Sequence, residues 1–220
     1  MNIRALIKEI LFPSKCILCR KLLKDNETDI CTRCRTEVAS DIKIKKSIPF
    51  VAGWTAVWYY EGDVRKSILR YKFRNARSYA SGYGRFLAMA IQKAGLDQAD
   101  ILTWVPVSDR RRKKRGYDQC RLLAESVGSE LSMIPEPCLV KIRDTAPQSR
   151  MVNAAQRKAN ILGAYRVPDP SRICGKRILI LDDVVTTGAT TSECARELMT
   201  AGAEKVFVAA IAATKSNKSR

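Results

Sequence analysis

The 220-residue sequence contains no histidine, and this absence excludes several kinds of active site. A Ser-His-Asp triad or a Cys-His pair needs an imidazole as its general base, so neither can be assembled within this chain. A zinc site would have to be built from thiolates and carboxylates, because the third common zinc ligand is missing. Any chemistry must therefore be carried by other side chains.

Long apolar runs are also absent, since no stretch approaches the roughly 18 apolar residues of a membrane span. The opening segment MNIRALIKEILFP has apolar residues at helical spacing, but Lys8 and Glu9 interrupt it. This pattern predicts a short amphipathic helix that packs on the protein, and neither a signal sequence nor a membrane anchor. We therefore expect a cytoplasmic location.

Acidic residues are few relative to basic ones: 22 Asp and Glu stand against 40 Lys and Arg, a formal net charge of +18. Such an excess indicates polyanionic partners, with nucleic acid or polyphosphate as the first candidates. A generally basic composition unrelated to binding would give the same excess. Charge alone therefore does not identify the partner.

Four of the eight cysteines form two C-x-x-C pairs, CILC and CTRC, separated by eleven residues. This spacing is typical of two knuckles that present four thiolates to one tetrahedral Zn²⁺. Disulfides fit less well without an export signal, and a redox motif would need only one pair. The sequence predicts a structural zinc site formed by Cys16, Cys19, Cys31 and Cys34. The other four cysteines are interpreted as small core residues: Cys120, Cys138, Cys174 and Cys194.

The chain divides into two parts by composition. A segment of about 40 residues is too small to fold by apolar burial alone, so residues 1–45 are predicted to be an N-terminal helix and a zinc-stabilised module. In residues 46–220, strand-like and helix-like segments alternate; the strands are WTAVWYY, ADILTWVP, CLVKI, KRILILDD and KVFVAAIAA. This alternation predicts an α/β fold, an open, mainly parallel twisted sheet with helices on both faces.

The segment ILILDDVVTTGATT places two acids and a hydroxyl-rich turn directly after a buried-type strand. In an open parallel sheet, ligands bind beyond the carboxyl ends of the strands, where these acids fall. The turn leads into a helix whose first N–H groups attract a phosphate, while carboxylates accept hydrogen bonds from ribose hydroxyls or hold Mg²⁺. The pattern predicts a sugar-phosphate site formed by Asp182, Asp183, Thr186, Thr187, Gly188, Ala189, Thr190 and Thr191.

An ATPase would also place acids after an apolar strand, but it requires a Gly-rich loop that ends in Gly-Lys-Ser/Thr. The Gly-Lys pair at Gly175 is followed by Arg177 and lacks the upstream glycine, so this alternative fails. A purely structural turn remains open, although it would not select both acids and this run of hydroxyls.

The same segment resembles the ribose-5-phosphate motif of type I phosphoribosyltransferases, whose ligand is phosphoribosyl pyrophosphate (PRPP) with Mg²⁺. Together with the cysteine knuckles, the chain as a whole resembles the ComF (ComFC) proteins of bacterial DNA uptake. Further matching segments are YYEG with LRYKFR, VPVSDRRRKKRGYDQCRLLA, RDTAPQS and RKANILGAYRV. Tyr117 and Asp118 depart from the family pattern, which usually has Phe and Asn at these positions.

The resemblance implies a structural Zn²⁺, Mg²⁺ that accompanies PRPP, and partners that include single-stranded DNA and other DNA-uptake proteins such as a helicase. It also implies contacts to PRPP: Asp182 and Asp183 to the ribose, Thr186 to Thr191 to the 5-phosphate, Val107 and Ser108 to the pyrophosphate, and Arg143 and Gln148 from a mobile flap, RDTAPQS.

Six consecutive bases follow VPVSD: Arg110, Arg111, Arg112, Lys113, Lys114 and Arg115. Blocks of like charge repel one another, and a solvated loop of this kind is unremarkable. Its place beside the expected pyrophosphate loop favours a role in neutralising pyrophosphate, in contacting a DNA backbone, or in both.

Two functions remain open from the sequence. The family resemblance favours a ComF-like role in natural transformation, the uptake and processing of incoming single-stranded DNA, with a PRPP-binding site. The alternative is an active phosphoribosyltransferase that acts on an unidentified acceptor in nucleotide metabolism. Positioned groups and Mg²⁺ would stabilise its oxocarbenium-like transition state, so the missing histidine is no obstacle.

Overall fold

The computed structural model describes residues 13–38, 42, 47–145 and 154–215. In chain order their elements are α1 (Thr32–Glu37), β1 (Gly53–Tyr59), α2 (Gly62–Phe73), α3 (Tyr79–Lys93), β2 (Ile101–Trp104), α4 (Asp109–Arg115), α5 (Gln119–Leu131), β3 (Val140–Lys141), α6 (Ala154–Ile161), β4 (Tyr165–Arg166), β5 (Arg177–Val185), α7 (Ala189–Thr200) and β6 (Lys205–Ala213). The amphipathic helix expected at the N-terminus lies outside the described residues.

Four parallel strands form the main sheet, in the order β1-β6-β5-β2. The two central strands, β5 and β6, are the continuous apolar runs of the sequence and are almost fully buried. Strands covered on both faces read as unbroken apolar segments, which is why these two were recognisable in advance. The predicted parallel sheet is confirmed.

Helices cover both faces of this sheet, as predicted. Alternate residues of β5 point to opposite sides: Leu179 and Leu181 pack with α2, α3 and α5, whereas Ile178 and Ile180 pack with α7 and α6. Each face therefore has its own apolar core, and the sheet separates the two. None of the helices in the described part of the chain is both long and apolar enough to cross a membrane.

The segment CLVKI does not extend the main sheet. Its central residues form β3, which pairs antiparallel with β4 in a separate two-stranded sheet. Just before it, the chain meets β2 through a bridge between Pro135 and Leu102, a hydrogen bond from Glu136 N–H to Leu102 O, and the hydroxyl of Thr103, which donates to Glu136 O and accepts from Cys138 N–H. Pro135 and Pro137 have no N–H to donate, so a regular ladder along β2 cannot form.

The cysteine-bearing segment, residues 13–38, packs against α2 and α3. Ser67 of α2 donates its hydroxyl to Ile17 O, and Arg70 Nη2 donates to the same carbonyl at 3.1 Å. Arg85 of α3 pairs with Asp29, with Nε 2.7 Å from Oδ2. Buried polar contacts of this kind fix the position of the segment on the sheet domain. The domain boundary at residue 45 stays a prediction.

Candidate functional site

The four thiols predicted to bind zinc converge on one point. The Sγ atoms of Cys16, Cys19, Cys31 and Cys34 all lie within 4.8 Å of one another, and those of Cys19 and Cys31 are 3.6 Å apart. In a tetrahedral centre with Zn–S bonds of about 2.3 Å, the sulfurs are separated by about 3.8 Å. All eight cysteines are free thiols, which excludes the disulfide alternative in this structure.

Local backbone geometry creates this cluster. In the first knuckle, Arg20 N–H donates to Cys16 O at 2.8 Å, and Cys16 N–H donates to Lys21 O at 2.8 Å. In the second, Cys31 caps α1 and Cys34 lies three residues further on, on the same side of the helix. Burial opposes ionisation of Cys19, but the backbone N–H of Lys21 and the Arg33 guanidinium outweigh it and lower the pKa of Cys19 to about 6. The residues fit a structural Zn²⁺.

The other four cysteines were predicted to be core residues, and this holds for three of them. Cys120, Cys138 and Cys194 are buried, which confirms their interpretation as core residues, but Cys174 is exposed. The prediction for Cys174 was wrong because it lies just after a short 3₁₀ turn, Pro170–Arg172, at the surface.

Two carboxylates stand near the C-terminal end of β5, where the sequence placed them. Asp182 and Asp183 are 8% and 4% exposed, yet both line an open cleft of about 850 Å³. Asp183 Oδ1 lies 2.7 Å from Lys72 Nζ of α2, and its Oδ2 accepts a hydrogen bond of 3.0 Å from Gln119 Nε2 of α5. Both oxygens of Asp183 are thus already engaged by the protein.

Asp182 has different neighbours. Its Oδ1 accepts a hydrogen bond of 2.8 Å from the N–H of Asp183 and lies 3.8 Å from the Cys120 thiol. Burial, together with the charge of Asp183, raises the pKa of Asp182. Burial disfavours the charge of Lys72, but Asp183 outweighs this and raises the pKa of Lys72, which keeps the lysine charged. The two carboxylates therefore have a charged lysine side chain of the protein beside them.

The hydroxyl-rich turn leads from β5 into the N-terminus of α7. Gly188 is the N-cap with φ +80°, which favours glycine, and a Cβ at this position would meet Ile48 Cγ1 at a tight 3.2 Å. The N-cap glycine has no side chain to bond the helix, and Thr187 Oγ1 accepts a long hydrogen bond of 3.4 Å from Ala189 N–H. Thr186 and Thr190 line the large cleft and also a recess of about 20 Å³ that Asp182 and the turn from Val184 to Thr191 enclose. The turn can therefore present backbone N–H groups to an anion next to the carboxylates.

Positive side chains dominate the wall of the large cleft. Its lining includes the two acids and seven cations: Lys72, Arg74, Arg111, Lys114, Arg115, Lys141 and Arg157. An excess of cations in a cleft raises the local concentration of anionic ligands. Burial, followed by the charge of Arg111, lowers the pKa of Lys141 to about 8.

The basic run was expected to be a solvated loop, but it forms the helix α4. Arg and Lys are good helix formers, Ser108 precedes the helix as N-cap, and Gly116 with φ +77° ends it. The helix divides the six bases into two sets. Arg111, Lys114 and Arg115 line the cleft, whereas Arg110, Arg112 and Lys113 are exposed outside its lining.

Of the two residues expected to contact the pyrophosphate, one lines the cleft and the other does not. Val107 lines the cleft, but Ser108 does not. Ser108 is buried and donates its hydroxyl to Asp144 Oδ1 at 2.8 Å, so it positions the chain that follows β3. Nearby, Arg111 Nη2 donates to Thr145 O at 2.8 Å.

Of the two flap residues, Gln148 lies outside the described residues. Arg143 donates to the carbonyls of Asn160 and Leu162 at 3.2 and 2.7 Å, and it is not part of the cleft lining. In this structure Arg143 therefore holds the C-terminal end of α6, and its contact with a ligand stays a prediction.

Several residues of the cleft were not predicted from the sequence. Lys72, Gln119 and Lys141 carried no local signal, because they reach the carboxylates or the cleft from distant elements. Asp118, which departs from the family pattern, caps α5 by accepting N–H bonds from Cys120 and Arg121, each 3.0 Å long. Asp and Asn are equally good helix caps, which explains why the substitution is tolerated.

Bacterial DNA utilization and competence proteins are similar to this chain over most of its length. DNA utilization protein YhgH of Salmonella typhi is 29% identical over 219 residues, which cover 89% of this chain and 95% of that protein. Competence protein ComFC of Bacillus subtilis is 24% identical over 208 residues, 85% of this chain and 78% of that protein. These similarities confirm the resemblance to the ComF proteins. No protein-family model matches the chain.

One solved structure, the glutamine phosphoribosylpyrophosphate (PRPP) amidotransferase from B. subtilis complexed with ADP and GMP, aligns at 22% identity with a TM-score of 0.42. The alignment covers 65% of this chain and 30% of that chain. A likeness this weak carries no conclusion about the cleft.

Proposed function

We propose that this protein, a homologue of competence and DNA utilization proteins, binds PRPP in the cleft at the C-terminal edge of β5 and acts in the uptake and processing of incoming single-stranded DNA. One observation carries the PRPP assignment. Two buried carboxylates and a helix N-terminus whose N-cap is glycine border the same cleft, whose wall is strongly basic. Few ligands other than a sugar phosphate offer hydroxyls to the first and a phosphate to the second.

The geometry supports a definite placement of the ligand. The 5-phosphate would bind the turn from Thr186 to Thr191, where backbone N–H groups and the hydroxyls of the two threonines that line the cleft, Thr186 and Thr190, would donate to it. The ribose hydroxyls would donate to Asp182 and Asp183. The pyrophosphate would extend toward Val107 and Arg111, on the basic side of the cleft.

The two cofactors enter this proposal differently. Zn²⁺ would be held by the four thiols and would support the fold of residues 13–38 without an open coordination position. Mg²⁺ would arrive as part of the Mg–PRPP complex, bound to the phosphates of the ligand. The carboxylate pair is a poor fit for a directly bound Mg²⁺, because the Lys72 ammonium already places a positive charge 2.7 Å from Asp183.

The DNA assignment is supported by the names of the relatives and by the outer face of α4. Arg110 and Arg112 keep 85% and 60% of their side chains exposed, and Lys113 lies beside them. Exposed cations of this kind bind phosphate backbones without reading sequence. Single-stranded DNA is therefore the proposed macromolecular ligand, and other DNA-uptake proteins such as a helicase are proposed partners.

An active phosphoribosyltransferase is the second candidate. The cleft is within the size range of sites that enclose whole small-molecule ligands. Its wall on the α2 side includes Leu69, Phe73 and Tyr117, and apolar or aromatic side chains suit a planar acceptor. Release of pyrophosphate from PRPP in the presence of an acceptor would establish this activity.

The test of the proposed function is calorimetric titration of the protein with PRPP in MgCl₂. Asp182→Asn with Asp183→Asn removes two hydrogen bonds to charged groups, each worth about 1.5–3 kcal/mol, and should weaken binding about a hundredfold or more. A matched control is Asp25→Asn with Asp97→Asn, which neutralises two exposed acids and should leave the affinity unchanged. Undiminished binding by the Asp182/Asp183 variant would refute the assignment.

A further inference from the structure

The environment of Asp183 raises a question about the carboxylate pair. Lys72 Nζ lies 2.7 Å from Oδ1, and the Lys72 side chain is 19% exposed while that of Asp183 is 6% exposed. Gln119 Nε2 occupies Oδ2 at 3.0 Å. An ammonium group therefore stands where two adjacent acids would otherwise attract a divalent cation.

Lys72 is held in this place from several directions. The preceding residue, Tyr71, donates its hydroxyl to Gln119 O at 2.7 Å, which joins α2 to the start of α5. Gln119 is itself fixed by Arg115, whose Nη1 donates to Oε1 at 2.7 Å. One turn earlier, Arg70 and Ser67 anchor α2 to the carbonyl of Ile17. The ammonium is thus part of a connected and largely buried network, and not a surface side chain in a chance contact.

A direct magnesium ion is incompatible with these contacts. Mg²⁺ requires near-octahedral oxygen ligands at about 2.0–2.1 Å and retains several waters. At Asp183 the ammonium and the amide already take one lone pair of each oxygen, and a second positive charge beside Lys72 would be repelled. Asp182 is flanked by the Cys120 thiol, which is a poor ligand for a hard cation.

We propose that Lys72 is a built-in cation that takes the place of a metal ion at the Asp182–Asp183 pair. It cancels one of the two negative charges of the pair, fixes the orientation of Asp183, and leaves the free lone pairs of the carboxylates to accept the ribose hydroxyls. This inference rests on the proposed sugar-phosphate function. It makes Lys72 a positioning residue, whose presence removes the need for a metal ion at the two carboxylates.

The proposal predicts that Mg²⁺ is needed for the pyrophosphate part of PRPP and not for the ribose 5-phosphate part. Ribose 5-phosphate, which lacks the pyrophosphate, binds equally well with and without Mg²⁺. PRPP retains a metal requirement only through its pyrophosphate, which carries the metal itself. If Lys72 is removed, the uncompensated carboxylates repel the anionic ligand and become able to attract a divalent cation.

The first measurement uses the wild-type protein. Calorimetric titration with ribose 5-phosphate in Mg²⁺-free buffer without a chelator, which leaves the zinc in place, and in excess MgCl₂ should give affinities equal within about twofold, because the lysine supplies the charge that the metal would. Electron paramagnetic resonance of Mn²⁺ should show no bound ion in the ligand-free protein. A requirement for Mg²⁺ in ribose 5-phosphate binding, or a Mn²⁺ ion bound to the ligand-free protein and lost in the Asp182/Asp183 double variant, would overturn the proposal.

The second measurement uses Lys72→Gln. Its affinity for ribose 5-phosphate in the Mg²⁺-free buffer should fall about tenfold or more, part of the loss should be recovered in MgCl₂, and Mn²⁺ should now bind. The matched control is Lys66→Gln on the same helix, whose side chain is 68% exposed and pairs with Asp63; it should behave as wild type. If Lys72→Gln retains metal-independent affinity, Lys72 does not act as a metal substitute.

Failure of this inference is distinguishable from failure of the proposed function. If wild-type protein binds neither PRPP nor ribose 5-phosphate under any metal condition, the sugar-phosphate assignment itself is wrong. If PRPP binds and is lost in the Asp182/Asp183 variant while ribose 5-phosphate binding depends on Mg²⁺, only the role of Lys72 is refuted. The wild-type titrations decide this even if Lys72→Gln does not fold.

Discussion

Two clusters of candidate metal ligands in this protein look alike by distance and differ in charge. The ligand atoms of Cys16, Cys19, Cys31 and Cys34 lie within 4.8 Å of one another, and so do those of Cys120, Asp182 and Asp183. The thiol cluster has one arginine at its rim, with Arg33 Nη2 3.9 Å from Cys34 Sγ. The acidic cluster has a lysine in direct contact, 2.7 Å from Asp183.

This difference separates a site that needs a metal from one whose charge is already partly compensated. Four thiolates around one point repel one another strongly unless a divalent ion lies between them, and a single rim arginine cannot compensate four charges. At the two carboxylates, a buried ammonium cancels one of the two charges and an amide donor adds a hydrogen bond. Proximity of ligand atoms therefore does not identify a metal site until the charges already present are counted.

The largest expected effect comes from dismantling the thiol cluster. Cys16→Ser with Cys19→Ser should abolish binding of about one zinc per chain and remove up to about 10–16 kcal/mol of metal-linked folding energy, so that residues 13–38 no longer fold. Metal analysis and thermal unfolding would check this result. Full zinc content in the variant would show that the metal, if present, binds elsewhere.

Cys120→Ala is the matched change in the other cluster. It also removes a buried thiol, but the expected zinc content stays at wild-type level because Lys72 already supplies a positive charge to the acids beside it. Loss of a metal ion from this variant would make the two clusters equivalent and would contradict the distinction drawn between them.

A smaller effect should separate the two faces of α4. Arg111, Lys114 and Arg115 face the cleft, so replacing all three with Ser should weaken PRPP binding. Replacing Arg110, Arg112 and Lys113 with Ser should instead lower the slope of log affinity against log salt for single-stranded DNA by up to about 2, at about 0.7 per phosphate contact.

Fluorescence titrations at several salt concentrations would measure the slope for both variants, each serving as the control for the other. Equal effects of the two sets on both ligands would show that α4 acts only as a diffuse positive charge. An unchanged slope in the outward set would remove this face from the DNA-binding surface.

Sequence reasoning was reliable where a local pattern decides the structure. The thiol spacing brought four sulfurs together, and the apolar runs of β5 and β6 formed the centre of the parallel sheet with Asp182 and Asp183 near its edge. In each case the relevant residues are neighbours in the chain, or their positions follow from the direction of parallel strands.

Sequence reasoning failed where the contacts of a residue come from elements that are distant in the chain. Lys72 reaches Asp183 from α2, and nothing in LRYKFR distinguishes this lysine from a solvated one. The basic run looked like a loop because like charges repel, but Ser108 and Gly116 bound a short helix that separates the charges onto two faces. The role of these side chains depends on their position in the fold, which the residue type alone does not reveal.

The most direct test of the sugar-phosphate site is a crystal structure of the protein with PRPP and MgCl₂. The 5-phosphate should lie against the N–H groups between Thr186 and Thr191, and the ribose hydroxyls should lie about 3 Å from Asp182 and Asp183. A ligand bound elsewhere, with its phosphate on α4 and both carboxylates turned away from the sugar, would contradict the central claim.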